Sequence, residues 1–289
     1  DFNFGQRAFD YTPPIGFGKL SARDIIPVSP SIIRPQKHFD TLLWTGNATS
    51  RNITGLEFKP DFVWIKNRDD TYHHGLFDSI RGANKVLKSS DTSVEATWTQ
   101  QLMSFNIDGF SLGDNSDSGN YANLNADDYV AWCWKAGGAA VSNSDGTITS
   151  QVSANTEAGF SIVSYTGNGA NNATVGHGLG KSPDWVIVKD RDSNSAGNNW
   201  YVFHSSLTSG HYVKLNQTSA TAALSGTSNG GVGSVTSTTF NFVQGTSGNN
   251  KNVNESGDNF IAYCWTSIPG YSKFGSYTGN GSTNGPYIH

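Results

Sequence analysis

Charge is scarce in this chain. Lys, Arg, Asp and Glu make up 15% of its 289 residues, against roughly 25% in ordinary soluble domains. The net charge is −4, and without clustered Lys and Arg there is no electrostatic basis for binding nucleic acid or an anionic membrane. No apolar run approaches the ~18 residues of a membrane span, so membrane insertion is not expected. Cysteine is nearly absent: Cys133 and Cys264 cannot build a disulfide framework, and each is expected to be a buried free thiol. An initiator Met and a leader pattern are missing too, so Asp1 is expected not to be a native terminus, and targeting cannot be read. What fills the space is Gly, Ser, Thr and Asn, with aromatics at 12%. That mixture suits short strands and tight turns rather than helical bundles, which draw on Ala, Glu, Lys and Leu.

The chain says nearly the same thing twice. Trp44-Thr45-Gly46-Asn47 answers Tyr165-Thr166-Gly167-Asn168, and Pro60-Asp61-Phe62-Val63-Trp64-Ile65-Lys66 answers Pro183-Asp184-Trp185-Val186-Ile187-Val188-Lys189. Asp128-Tyr129-Val130-Ala131-Trp132-Cys133-Trp134 answers Asn259-Phe260-Ile261-Ala262-Tyr263-Cys264-Trp265. A third copy opens at Phe274 with Ser276-Tyr277-Thr278-Gly279-Asn280-Gly281. A period of roughly 110–130 residues is too long for a solenoid and fits whole domains in tandem. The expected division is residues 39–141 for the first copy, 142–268 for the second and 269–289 for the start of a third. Residues 18–38 form a Pro-containing linker after a non-repeating segment, 1–17.

Within each copy, β-rich runs such as Phe62–Lys66 and Val186–Lys189 are punctuated by Gly and Asn, the signature of antiparallel strands with turns. Along Tyr129–Trp134, Tyr129, Ala131 and Cys133 face one way and Val130, Trp132 and Trp134 the other. With both faces apolar, this strand is expected between two layers. Residues 90–104 read as either a helix or a long loop, and Gly113–Asn125 and Ala220–Thr239 as loops. The expected fold class is all-β: tandem β-sandwiches, jelly-roll-like or concanavalin-like.

Several motifs imitate chemistry. Gly180-Lys181-Ser182 resembles the end of a phosphate-binding loop, but Pro183 follows where a helix must begin. Gly226-Thr227-Ser228-Asn229-Gly230 matches a nucleophile elbow in letters while lacking its strand and helix. Tyr72-His73-His74 reads as a solvated loop, because adjacent histidines in a strand point apart. Asp114 and Asp117 are the candidates for a weak oxygen-ligand metal site, although their spacing fits no fixed calcium loop. The recurring pairs Asp61/Asp184 and Asp128/Asp258 could supply two carboxylates to a glycoside hydrolase; turn or capping duties explain them more simply. Rings in loop-like sequence can stack on sugars, which makes Tyr72, Trp98 and Tyr121, with His73 beside them, the ligand-binding candidates. No cofactor and no catalytic residue are expected.

Two resemblances add to this. Asn3-Phe4-Gly5-Gln6-Arg7, Phe9 and Tyr11-Thr12-Pro13-Pro14-Ile15-Gly16-Phe17 resemble the closing strand of SPRY-type, concanavalin-like domains. The repeat itself resembles an uncharacterised β-rich repeat in structural proteins of tailed phages, especially marine and cyanobacterial ones. This implies a virion surface component such as a tail fibre, spike or capsid fibre. It also implies homotrimers, with other virion proteins as partners and a host-surface glycan as a further one. The rival readings are a fibre-borne glycan depolymerase and a secreted cellular carbohydrate-binding module.

Overall fold

A computed structural model describes residues 31–117, 119, 121–192, 198–224, 230–243 and 251–286. The SPRY-like segment, most of the linker and residues 226–229 of the elbow-like motif lie outside the described residues.

The architecture is all-β. The first copy contributes β1 (Phe39–Thr45), β2 (Arg51–Thr54), β3 (Phe62–Asn67), β4 (Gly75–Asp78), β5 (Lys85–Lys88), β6 (Ala96–Thr97), β7 (Leu102–Asn106), β8 (Gly109–Leu112) and β9 (Asp128–Trp134). The second contributes β10 (Val141–Asn143), β11 (Ser150–Asn155), β12 (Phe160–Thr166), β13 (Thr174–Gly176), β14 (Trp185–Asp190), β15 (Tyr201–His204) and β16 (His211–Lys214). It continues with β17 (Ala222–Ala223), β18 (Gly231–Val235), β19 (Thr239–Val243) and β20 (Asn259–Trp265). Strand order in the first copy is β1-β9-β3-β4-β5-β6 over a small sheet β2-β8-β7; in the second it is β12-β20-β14-β15-β16-β17 over β13-β19-β18. The two orders correspond strand for strand, and all named pairings are antiparallel. The second large sheet carries two more strands, β11 and β10, on the outer edge of β12.

Two sequence expectations are corrected. Residues 90–104 hold β6 and the start of β7 rather than a helix or one long loop, and Ala220–Thr239, expected as a loop, contains β17 and β18. Both stretches are short on apolar residues because their strands sit at sheet edges or in the small sheets, where little side-chain burial is demanded.

Each copy has its own core between large and small sheet. The first is built on Trp44, Val63, Ile65, Phe77, Phe110, Tyr129 and Cys133; the second on Tyr165, Val186, Val188, Phe240, Phe242, Phe260 and Cys264. Both thiols are free and buried, and burial pushes both above the ordinary cysteine range, which leaves them unreactive. The Thr-Gly-Asn motif closes each sandwich. Thr45 Oγ1 donates to Asp128 as Thr166 Oγ1 donates to Asn259. Asn123 and Asn254 each receive the backbone N–H of the motif's Asn. A Cβ at Gly46 would overlap the Leu124 carbonyl, and one at Gly167 the Glu255 carbonyl, so glycine is required by close backbone approach.

A third core lies between the copies. Phe62, Leu76 and Leu87 meet Phe160, Ile187, Val202, Ile261, Tyr263 and Trp265, with Phe62 stacked on Tyr263 at 4.3 Å and Trp134 edge-on to Trp265 at 6.1 Å. These are corresponding faces of the two large sheets. On β9, Tyr129, Ala131 and Cys133 fill the sandwich core, while on the other face Trp134 packs on the joint and Val130 and Trp132 stay half-buried. At one end of the joint, Arg81 is wholly buried. It donates to Asp78 at 2.5 Å, to Glu95 at 3.3 Å and to the Tyr263 hydroxyl at 3.3 Å. Glu95 in turn receives two bonds from Arg191. Burial works to raise the Glu95 carboxyl, but Arg191 and Arg81 outweigh it and hold it below the usual range. A charge network thus locks the two copies where the aromatic core ends.

Candidate functional site

The other end of the joint is open and polar. A cleft of about 540 Å³ is lined by His38, Lys59, Asp61, Lys135, Gly137, Gly138 and, from the β11–β12 turn, Asn155 and Glu157. Its back wall is fixed. Buried Asp61 accepts from Ser79 Oγ at 3.0 Å and from the Ala136 N–H at 2.8 Å. Asp184 does the same in the second copy with Ser205 and Ser267. The recurring aspartate therefore pins two chain crossings.

His38 lies against the second copy. Asn155 Nδ2 donates to its Nδ1 at 3.1 Å, so the neutral ring carries its proton on Nε2, 3.8 Å from Glu157. Burial pushes His38 below its ordinary value; Glu157 opposes this and Lys135 and Lys37 reinforce it. Lys59 and Lys135 are exposed, and among the described residues neither has a carboxylate partner. The cleft can thus offer two ammonium groups, one imidazole N–H, one carboxylate and amide groups to a polar ligand.

A second cleft, about 490 Å³, is mostly apolar. Trp185, Val202, Leu207, Val213, Leu215 and Phe274 line it beside the third-copy segment.

The residues singled out from sequence do not converge. Tyr121 is 2% exposed and belongs to the first core, with Ala122 beside it. Its ring is stacked at 4.7 Å on Trp98, so these two aromatics pack on each other. Tyr72 is half-buried. His73 bonds Ser90 at 2.8 Å and lies 3.7 Å from Asp91, whereas His74 Nδ1 accepts from Trp64 Nε1 at 2.8 Å; the adjacent rings have separate duties. Asp114 caps the Ser116 N–H. Asp117 spends both oxygens on the Gln100 N–H and the Gln101 amide. Among the described residues no group of three or more His, Cys, Asp or Glu is placed to hold a metal ion. Lys181 sits in a turn, and no helix follows Ser182.

A family model described as a domain of unknown function, DUF7483, matches residues 34–289. The chain belongs to this family. One DUF7483 match spans both copies and the start of the third, so the cleft between the copies lies inside the family's own unit. No curated protein and no solved structure matches the chain.

Among its described residues the DUF7483 unit holds one further buried cation. Lys189, on β14, is fully buried and donates to the Asn198 carbonyl at 3.0 Å. Burial lowers its amine to about 7, against the opposing pull of Asp190 and Asp91. It is walled off from solvent and from the cleft residues. The signal that could have found the cleft was present in the sequence. Lys59 and Lys135 flank the recurring Pro-Asp and Trp, at positions where the second copy has Ser182 and Thr266.

Proposed function

We propose that this chain is a non-enzymatic structural body of a phage virion appendage (a tail fibre, spike or capsid fibre), with attachment to a host-surface glycan as a second role. In this reading it assembles as a homotrimer on other virion proteins. The observation that carries it is the joint. Two sandwiches of one topology are fused sheet to sheet through a shared aromatic core, which gives a stiff double unit instead of hinged beads. Low charge and polar turns on such a body suit a spacer exposed to solvent. The polar cleft beside the joint supports the attachment role, since glycan sites need fixed hydrogen-bonding groups in a concave surface. The duty of Asp61 and Asp184 as pins of chain crossings weighs against the depolymerase reading, which asks two acids to converge on a substrate.

Electron cryomicroscopy of the intact particle tests this. The expected result is a three-fold rod off tail or capsid into which the double sandwich fits. A free single-chain protein in the source culture, with no appendage density of this shape, would overturn it.

A further inference from the structure

The two copies repeat each other around the pinned aspartate, but the residues directly before its Pro and directly after the last Trp differ in charge. In the second copy, Ser182 precedes the Pro-Asp pair and Thr266 follows the last Trp. The Thr266 hydroxyl donates to the Ser182 carbonyl at 3.0 Å, and short neutral side chains close the place. In the first copy the same two positions are Lys59 and Lys135, and here the surface opens into the cleft of about 540 Å³. The sandwich does not need these cations, because the second copy folds without them. Both are exposed, and among the described residues neither is paired with a carboxylate. Both line the same cleft, so an anion that enters it meets two ammonium groups with opposite charge to offer.

The remaining lining sets what else the ligand must carry. Asp61 faces Ser79 and the amides of Ala136 and Gly138, and so is already satisfied. Glu157, exposed beside His38 on the cleft lining, asks for hydroxyl donors. A bare inorganic anion would satisfy the lysines but bring no donor for Glu157. A sugar acid supplies a carboxylate for the lysines and hydroxyls for the rest.

We propose that the cleft between the copies binds a carboxylate-bearing saccharide, with Lys59 and Lys135 holding its carboxylate. This rests on the attachment half of the reading above and names its ligand class.

The test uses the whole chain and a panel of uronate- and sialate-bearing oligosaccharides, each paired with its own methyl ester, titrated by calorimetry at low and raised salt. The key variant is Lys59→Ser with Lys135→Thr, which installs the residues the second copy tolerates; thermal unfolding checks that the fold is intact. The expected result is that an acidic member binds while its ester and the double variant bind roughly tenfold or more weakly. Raised salt should weaken the acid alone, and Lys59→Arg with Lys135→Arg should keep the binding. Failure of every acid to bind, equal binding of acid and ester, or unchanged binding by the double variant would overturn the proposal. Particle imaging gives a separate answer: binding without an appendage leaves this site standing and removes the virion reading, and the reverse pattern does the opposite.

Discussion

The first and second copies share strand order, register and the pinned aspartate, yet they are built to different uses at three places. The outer edge of β12 is covered by β11 and β10, while β1 carries no strand on its outer side among the described residues. The buried charge network starts from Asp78, Arg81 and Glu95 of the first copy, and the second supplies only Arg191 and Tyr263. Lysines stand beside the aspartate in one copy, Ser and Thr in the other. What the copies share is what the sandwich requires. What they do not share marks the joint and the cleft, where two unlike duties fall on one fold.

The largest expected effect tests the asymmetry of the charge network. Arg81→Met leaves Asp78 buried without its cation and Glu95 with Arg191 alone, a loss of about 3–5 kcal/mol. The corresponding position in the second copy is Leu207, half-buried at the rim of the apolar cleft, and Leu207→Ala should remove no more than about 1 kcal/mol. Denaturant unfolding of both variants measures this; equal losses would mean that the network contributes nothing special to the joint. Next comes the aromatic core. Phe62 is wholly buried against Tyr263, whereas its counterpart Trp185 is half-exposed on Trp265. Phe62→Ala should lose about 3–5 kcal/mol and split one unfolding transition into two as the copies uncouple. Trp185→Ala should lose less and leave a single transition.

The all-β class was legible from Gly, Asn and β-branched punctuation, and the core face of β9 from its alternation of Tyr129, Ala131 and Cys133 with Val130, Trp132 and Trp134, although that second face is only half-buried. The partner of that second face was not legible. Alternation reports that a face is apolar, not whether a small sheet or another copy covers it. Arg81, Glu95 and Arg191 could not be paired by reading, because such contacts carry no period. Tyr121 misled for the opposite reason: a polar neighbourhood reads as loop, and a loop can still fold its one aromatic inward. The cleft was half-legible. Aligning the copies exposes Lys59 and Lys135 as departures, but only the fold shows that both face one cavity with His38 and Glu157.

A smaller effect follows from one hexapeptide in two settings. Ser164–Gly169 and Ser276–Gly281 are identical in sequence. In the second copy, Tyr165 is stacked on Phe260 at 5.2 Å and donates to the Val253 carbonyl at 2.6 Å; in the third-copy segment Tyr277 is 70% exposed. Gly167→Ala must displace the Glu255 carbonyl and should lose about 1–3 kcal/mol. Gly46→Ala should lose a like amount against Leu124. Gly279 has no neighbouring atom within 4 Å, so Gly279→Ala should leave the midpoint of thermal unfolding within error.

The smallest effect, taken per pH unit, separates Lys189 from Lys66, its counterpart on β3. Lys66 is half-exposed and donates to the carbonyls of Asn67 and Asp70, while Lys189 is sealed in with the Asn198 carbonyl. The ordinary lysine value of about 10.4 applies to the unfolded chain, and burial lowers Lys189 to about 7 in the folded one. Below pH 7 both states hold the proton, and the folded state bears the full penalty of a buried charge. Between those two values the unfolded chain keeps its proton and the folded chain releases it, so stability rises with pH. The slope can reach at most about 1.4 kcal/mol per pH unit for one group. That value already includes the opposing pull of Asp190 and Asp91. Unfolding midpoints measured from pH 6 to 10 should therefore climb in the native chain. They should flatten in Lys189→Met, which also starts higher at pH 6, and keep climbing in Lys66→Met. A native profile that does not rise, or one that Lys66→Met flattens equally, would show that burial between the copies does not set the difference between the two lysines.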